Sequence, residues 1–301
     1  MSASGLQPVA EPDLLMAQLL QHCRSRIAAG RRPLLGLNGP VGAGKTTLSL
    51  RLRAAFAAEG LQLAVASIDD AYLPWSQRRQ RMAGNPFGVT RVPPGSHDPE
   101  ALLAPIRHWR RQRWRSPGAA RAVLQLPRFD KTLCDGAGDR VADWHGEADA
   151  VLLEGWMVGC RALPARVLEN WPGLAPLDPP RRQWLLRCNE ALTAYADLWD
   201  ALDALVMLWP QRWSYPRRWR LQAEARQRRA GGGWLTAAQL EGMIQASLQS
   251  LPPELYHRPL LADACWVREL DGRRRCRWQG NGAAMLARLD QASSPCSSAT
   301  G

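Results

Sequence analysis

Gly39-Pro40-Val41-Gly42-Ala43-Gly44-Lys45-Thr46 is the stretch on which the reading of this 301-residue chain turns. It is a full Walker A motif, and its surroundings are those the motif requires. Pro33 to Asn38 is a short apolar run suited to a buried parallel strand. Thr46 to Ala58 carries Leu48, Leu52, Ala55 and Phe56 at helical spacing, so strand, glycine loop and helix follow in the necessary order. Glycines let the backbone fold around an anion with its N–H groups turned inward, and the helix start adds its dipole. Gly39, Pro40, Val41, Gly42, Ala43, Gly44, Lys45, Thr46 and Thr47 are therefore the expected ATP-binding segment. Lys45 should reach the β- and γ-phosphates, and the Thr46 hydroxyl should bind Mg²⁺.

Composition points the same way. The chain has two lysines, Lys45 and Lys131, against 37 arginines, and both fall in segments that read as phosphate chemistry, where a compact ammonium on a flexible stem differs from a planar guanidinium. A hydrophobic content of 46% allows one large core without a second domain. The net charge of +12 raises nucleic acid as a partner, but the basic residues are spread along the chain and biased to Arg, so none is expected. Seven dispersed cysteines without a Cys-x-x-Cys pair suggest reduced thiols and a cytoplasmic location. Met1 to Leu20 lacks the basic-then-apolar layout of a leader, and no run is long and apolar enough to span a bilayer, so no membrane association is expected. No obligate protein partner is evident either.

Outward from the glycine loop, Leu14 to Ala29 reads as an amphipathic helix and Leu61 to Ile68 as a second strand ending on Asp69-Asp70. Ala71 to His97, rich in Pro, Gly, Asn and Arg, reads as a long ordered loop over the strand ends. A helix follows, with Asp98 as N-cap and Pro99 at its first position. Ala122 to Leu126 and Ala150 to Leu153 read as strands, Arg181 to Asp200 as a helix, and Ala204 to Leu208 as another strand. Trp213 to Arg229 is a strongly basic helix broken by Gly231-Gly232-Gly233, the composition of a hinged lid. Thr236 to Gln249 is a further helix, and two strands joined at Asp271-Gly272 suggest a late hairpin.

The alternation implies an α/β fold, a mostly parallel sheet with helices on both faces. The expected organisation is one domain over residues 1–290, with a lid at about 212–236 and a disordered tail at 291–301. Ligands of such sheets sit outside the carboxyl ends of the strands, where Asp69, Arg128 and Glu154 are expected to converge. Asp69 or Asp70 can orient an acceptor hydroxyl and take its proton, and Glu154 ends an apolar strand as a Walker B acid does, where it can hold Mg²⁺ through water. Arg128 and Lys131, with Asp130 between them, suit a small anionic substrate. His97 and Asp98 are further substrate candidates, Asp98 doubling as a helix cap.

In order, Gly-x4-Gly-Lys-Thr-Thr-Leu, Ser67-Ile68-Asp69-Asp70-x-Tyr72, Gly95-Ser96-His97-Asp98, Pro127-Arg128-Phe129-Asp130-Lys131, Gly138-Asp139-Arg140, Leu153-Glu154-Gly155-Trp156-Met157-x-Gly159 and Trp219-Arg220-Leu221-Gln222-Ala223-Glu224 together resemble the plant-type D-glycerate 3-kinases, over roughly residues 30–260. The wider group resembled is the uridine kinase and pantothenate kinase branch of the P-loop NTPase fold. The resemblance implies transfer of the ATP γ-phosphate to the 3-hydroxyl of D-glycerate, with Mg²⁺. It implies Lys45, Asp69 and Arg220 as catalytic residues, Arg220 being the lid cation, and Thr46, Asp69 and Glu154 on the metal. Asp70, Tyr72, His97, Asp98, Arg128, Asp130 and Lys131 then face the acceptor. The family's link to photorespiratory glycolate salvage implies a carbon-salvage setting, and the lack of a transit peptide a bacterial source. Two other readings stay open from the residues alone: a kinase of this fold acting on another hydroxyl acceptor, and an ATP-binding regulator without transfer activity.

Overall fold

The run Leu34-Leu35-Gly36-Leu37-Asn38 is buried throughout and forms strand β1 (Leu34–Asn38), in the interior of the main sheet. The computed structural model describes residues 13–112, 121–229 and 235–293. Helix α1 (Leu14–Ala28) precedes β1, and α2 (Lys45–Ala58), β2 (Leu63–Ser67), α3 (Trp75–Arg81) and α4 (Glu100–Arg111) follow it. Next come β3 (Ala122–Asp130), β4 (Asp139–Ala148), β5 (Ala150–Gly155), α5 (Ala165–Glu169), α6 (Pro179–Ala191), α7 (Ala196–Asp200) and β6 (Ala204–Pro210). The chain continues through α8 (Tyr215–Arg229), α9 (Ala237–Ser250), α10 (Pro253–Leu260), β7 (Trp266–Leu270), β8 (Cys276–Gly280) and α11 (Gly282–Ser293).

The sheet runs β2-β5-β1-β6-β7-β8, parallel up to β7, with β8 antiparallel at the edge. Alternation along the strands divides the side chains between two apolar layers. Leu35, Leu37, Leu152 and Val206 pack with Leu19 of α1 and Leu52 and Phe56 of α2. Leu34, Val151, Leu153 and Met207 pack with Leu102, Ile106 and Trp109 of α4 and Leu185 of α6. Each such fully buried side chain contributes about 1.5–3 kcal/mol, so both layers hold β1 and the loop after it rigidly. No helix among the described residues is long and apolar enough to cross a membrane.

The α/β architecture and the late hairpin are as the sequence suggests, the hairpin extending the main sheet. Three local expectations are corrected. Ala122 to Leu126 is not part of the main sheet: β3 pairs with β4 alone, antiparallel. Its burial alternates, with Leu124 and Leu126 inward and Val123 and Gln125 exposed, which is the signature of a ribbon wet on one face. Arg128 therefore does not sit beyond a parallel strand end; it follows an irregularity in the ladder at Pro127, a residue with no N–H to pair. The helix expected over Arg181 to Asp200 is divided by a 3₁₀ turn at Leu192–Tyr195. The segment from Ala71 to His97 contains α3 and is closed by a bridge between Tyr72 and His97. The helix expected to begin at Pro99 starts at Glu100 with Pro99 as its N-cap, and Asp98, one residue earlier, accepts from Ala101 N at 3.3 Å. Residues 291–293 of the expected disordered tail are instead the end of α11, and the rest of that tail and the glycine hinge at Gly231-Gly232-Gly233 lie outside the described residues.

Candidate active site

Gly42 and Gly44 carry φ angles of 74° and 95°, left-handed values that let the loop after β1 wrap inward. A Cβ on Gly42 would lie 2.8 Å from the Trp219 backbone and 2.9 Å from Arg220 N, so the loop is packed directly against α8. Lys45 Nζ donates to the carbonyls of Gly39 (2.9 Å) and Pro40 (3.2 Å) and stands 4.0 Å from Glu154 Oε2. Burial lowers the Lys45 pKa, opposed by the carboxylates of Glu154 and Asp69. Thr46 and Thr47 are exposed on the first turn of α2.

Strand register brings the acids to this loop. Glu154 lies beside Leu37 on one flank and Ser67 on the other. Ser67 then caps a 3₁₀ turn, accepting from Asp69 N at 3.3 Å while Asp70 Oδ2 accepts from Ser67 N at 3.1 Å. The same Asp70 oxygen is 3.0 Å from Arg128 Nη1. Asp70 and Arg128 thus form a partly buried structural pair that ties the turn to β3. Asp69 instead accepts from Lys131 Nζ at 2.7 Å and from the Tyr72 hydroxyl. Burial raises the Asp69 carboxyl, but the charge and hydrogen bond of Lys131, with His97 and Tyr72, outweigh it and hold the group well below the usual carboxylate range. Glu154 is pushed up by burial and by the Asp69 charge, against Lys45.

An aromatic wall backs Asp69. Tyr72 stacks on His97 with ring centroids 4.3 Å apart, and its hydroxyl accepts from Val92 N at 3.0 Å. His97 Nδ1 is 3.0 Å from the Tyr195 hydroxyl, its Nε2 is buried without a partner among the described residues, and burial lowers its pKa to about 4. Asp98 is 3.6 Å from Arg140, and Asp130 closes its own turn by accepting from Thr132 N and Oγ1 at 2.8 and 2.6 Å. Lys45, Asp69, Asp70, Tyr72, His97, Arg128, Lys131 and Glu154 are therefore gathered into one cluster, and Asp98 and Asp130 lie at its margin. Arg220 is paired with Glu224 at 3.0 Å, and Glu224 also accepts from Leu235 N at 2.6 Å, which ties α8 to the segment before α9.

With this geometry in view, the chain can be set beside known proteins. No family model matches it. It is 31% identical over 235 residues to the chloroplastic D-glycerate 3-kinase of Arabidopsis thaliana, covering 74% of this chain and 48% of the plant protein. It is 29% identical over 210 residues to the uncharacterized kinase mug58 of Schizosaccharomyces pombe, covering 65% of this chain and 71% of that protein. Among solved structures, a D-glycerate 3-kinase from Cryptococcus neoformans var. grubii superposes with a TM-score of 0.73 at 26% identity, over 90% of this chain and all of that one. The chain has the fold of the P-loop kinases. It resembles D-glycerate 3-kinases in sequence and fold, and it spans about half the length of the plant relative.

The donors of this site fit Mg²⁺. They are all hard oxygens: the Thr46 hydroxyl and two carboxylates, Asp69 and Glu154, close enough for one charge to raise the other's pKa. No cluster of three or more His, Cys, Asp or Glu with metal-holding geometry occurs among the described residues, so a cation here would complete its shell with phosphate oxygens and water.

Sequence reasoning missed three arginines around this site. Arg78 is fully buried and donates to the carbonyls of Leu73 (2.6 Å), Ala137 (2.7 Å) and Gly138 (2.6 Å), pinning the β3–β4 turn that carries Lys131. Arg140 donates to the Tyr72 carbonyl at 2.6 Å; its motif was legible, its role was not. Arg274, in the turn between β7 and β8, donates to the carbonyls of Gly42 (2.7 Å) and Trp219 (2.9 Å), joining the phosphate loop to α8. Its left-handed φ of 64° near Asp271-Gly272 marks a turn, but nothing local names its partners.

Proposed function

We propose that this P-loop kinase transfers the γ-phosphoryl group of ATP to the 3-hydroxyl of D-glycerate, giving 3-phosphoglycerate and ADP. The observation that carries the reading is Asp69, just past the end of β2 and beside the phosphate loop, with Lys131 Nζ at 2.7 Å and Tyr72 and His97 around it. The two D-glycerate 3-kinase relatives support the choice of acceptor.

In this reading Asp69 accepts a hydrogen bond from the acceptor hydroxyl. It receives the proton as the new oxygen–phosphorus bond forms and the bond to the β–γ bridging oxygen breaks. A loose transition state asks more for orientation of the hydroxyl than for its early deprotonation. Lys45 and the loop N–H groups hold the phosphates, and Arg220, whose backbone touches Gly42, supplies positive charge from α8. Mg²⁺, held by Thr46 and through water by Asp69 and Glu154, would neutralise phosphate charge when bound. A cytoplasmic location belongs to the same proposal, supported by six described cysteines that are all free.

The test is ADP production by the purified protein with Mg²⁺ and ATP, using D-glycerate, L-glycerate, uridine and pantothenate as parallel acceptors. Turnover with D-glycerate well above the others supports the proposal. Turnover with uridine or pantothenate alone moves the site to another acceptor, and ATP binding without turnover on any acceptor would make the protein a regulator.

A further inference from the structure

Arg91 lies between α3 and α4 and is only 9% exposed, and its Nη1 has no hydrogen-bond partner among the described residues. A buried guanidinium without a counter-charge is costly and calls for an anion. The neighbouring cations are already engaged: Lys131 with Asp69, Arg128 with Asp70, Arg78 with three carbonyls, and Arg140 with the Tyr72 carbonyl and Asp98. Arg91 stands within electrostatic reach of Tyr72, whose hydroxyl bonds to Asp69.

The backbone holds it there. Val92 N donates to the Tyr72 hydroxyl at 3.0 Å, and Val92 O accepts from Trp156 Nε1 at 3.2 Å. Val92 itself has a φ of 92°, a conformation that costs a β-branched residue energy and persists only where surrounding bonds enforce it. Arg91 also lines a cavity of about 390 Å³, together with Thr90, the Asp135–Ala137 turn, and Gln239 and Met243 of α9. That volume is at the small end of the roughly 300–1,000 Å³ typical of small-molecule sites. Asp135, the acidic residue of the lining, is exposed, so the buried charge facing the cavity is positive.

We propose that Arg91 is the receptor for the carboxylate of the acceptor, holding a small hydroxy acid with its hydroxyl toward Asp69. The proposal rests on the kinase reading above and deepens it. It moves carboxylate recognition from Arg128 and Lys131, which are paired, to Arg91, whose planar fork matches a carboxylate.

The test compares the wild type with Arg91→Met and Arg91→Lys, using D-glycerate and its neutral amide, glyceramide, as acceptors. Arg91→Met should raise the D-glycerate KM about 100-fold while leaving the ATP KM within about twofold, and Arg91→Lys should fall between. The wild type should prefer D-glycerate over glyceramide by a similar factor, and Arg91→Met should lose that preference. Equal use of the two acceptors by the wild type overturns the proposal even if no Arg91 variant folds, and so does an unchanged D-glycerate KM in Arg91→Met. If the wild type turns over a different anionic acceptor whose KM rises in Arg91→Met, the glycerate reading fails and the Arg91 site stands. If wild type and Arg91→Met phosphorylate D-glycerate alike, the reverse holds.

Discussion

Lys131 Nζ lies 2.7 Å from Asp69 Oδ2, so one of the two lysines in the chain is committed to the carboxylate at the end of β2. The contact crosses from the β3–β4 ribbon to the main sheet, and the buried Arg78 pins the ribbon's turn.

The pair sets the pH behaviour of the site. Because Lys131 lowers the Asp69 pKa, the wild type should show no acidic limb from Asp69 in kcat/KM for D-glycerate across the range in which it stays folded. Removing the ammonium in Lys131→Met should raise that pKa and bring an acidic limb toward the measurable range. Asp69→Asn should lower kcat by roughly 10²–10⁴ with little change in ATP KM. A pH–rate profile of Lys131→Met that superposes on the wild type would remove Lys131 as the group controlling Asp69.

Arg274 offers a separate handle on the nucleotide side. Its two bonds, to Gly42 O and Trp219 O, join the phosphate loop to α8, and each charge-assisted bond contributes about 1.5–3 kcal/mol where it is protected from water. Arg274→Ala should raise the ATP KM about tenfold and leave the D-glycerate KM almost unchanged. Equal changes in both constants, or none, would show that the loop holds its shape without this tie.

His97 and His257 are both lowered to about 4 by burial, from an ordinary value of 6.5. Between those values the unfolded chain binds protons that the folded chain refuses. Their contribution is therefore fully present above pH 6.5 and is lost as pH falls toward 4. Asp70 and Glu154, raised by burial, act in the opposite sense, so the clean readout is a difference between proteins. Thermal midpoints of His97→Gln should fall less steeply on acidification than those of the wild type, by about one proton of uptake. Parallel curves would mean that His97 titrates normally in the folded protein.

The sequence made the phosphate loop, its flanking strand and helix, and the acids ending β2 and β5 legible, because their signals lie within a few residues of one another. It did not reveal β4. Asp139 to Ala148 belongs to a two-stranded ribbon with one wet face and carries too few apolar residues to show a strand period. Nor could it separate Asp69 from Asp70. That distinction rests on Asp70 closing a capping box with Ser67 and meeting Arg128, contacts fixed only when β3 folds back over the turn. Arg78, Arg91 and Arg274 escaped for a related reason. In a chain with 37 arginines, a buried guanidinium looks like a solvated one until its distant carbonyl or cavity is in place.

The chemical identity of the product decides between acceptor phosphorylation and ATP binding alone. Phosphorus NMR of a reaction containing the protein, Mg²⁺, ATP and D-glycerate should show 3-phosphoglycerate and ADP rising together, and neither should appear with Lys45→Ala. A phosphate ester on the 2-hydroxyl, or no glycerate-dependent signal from a protein that binds ATP, would contradict the proposed transfer to the 3-hydroxyl.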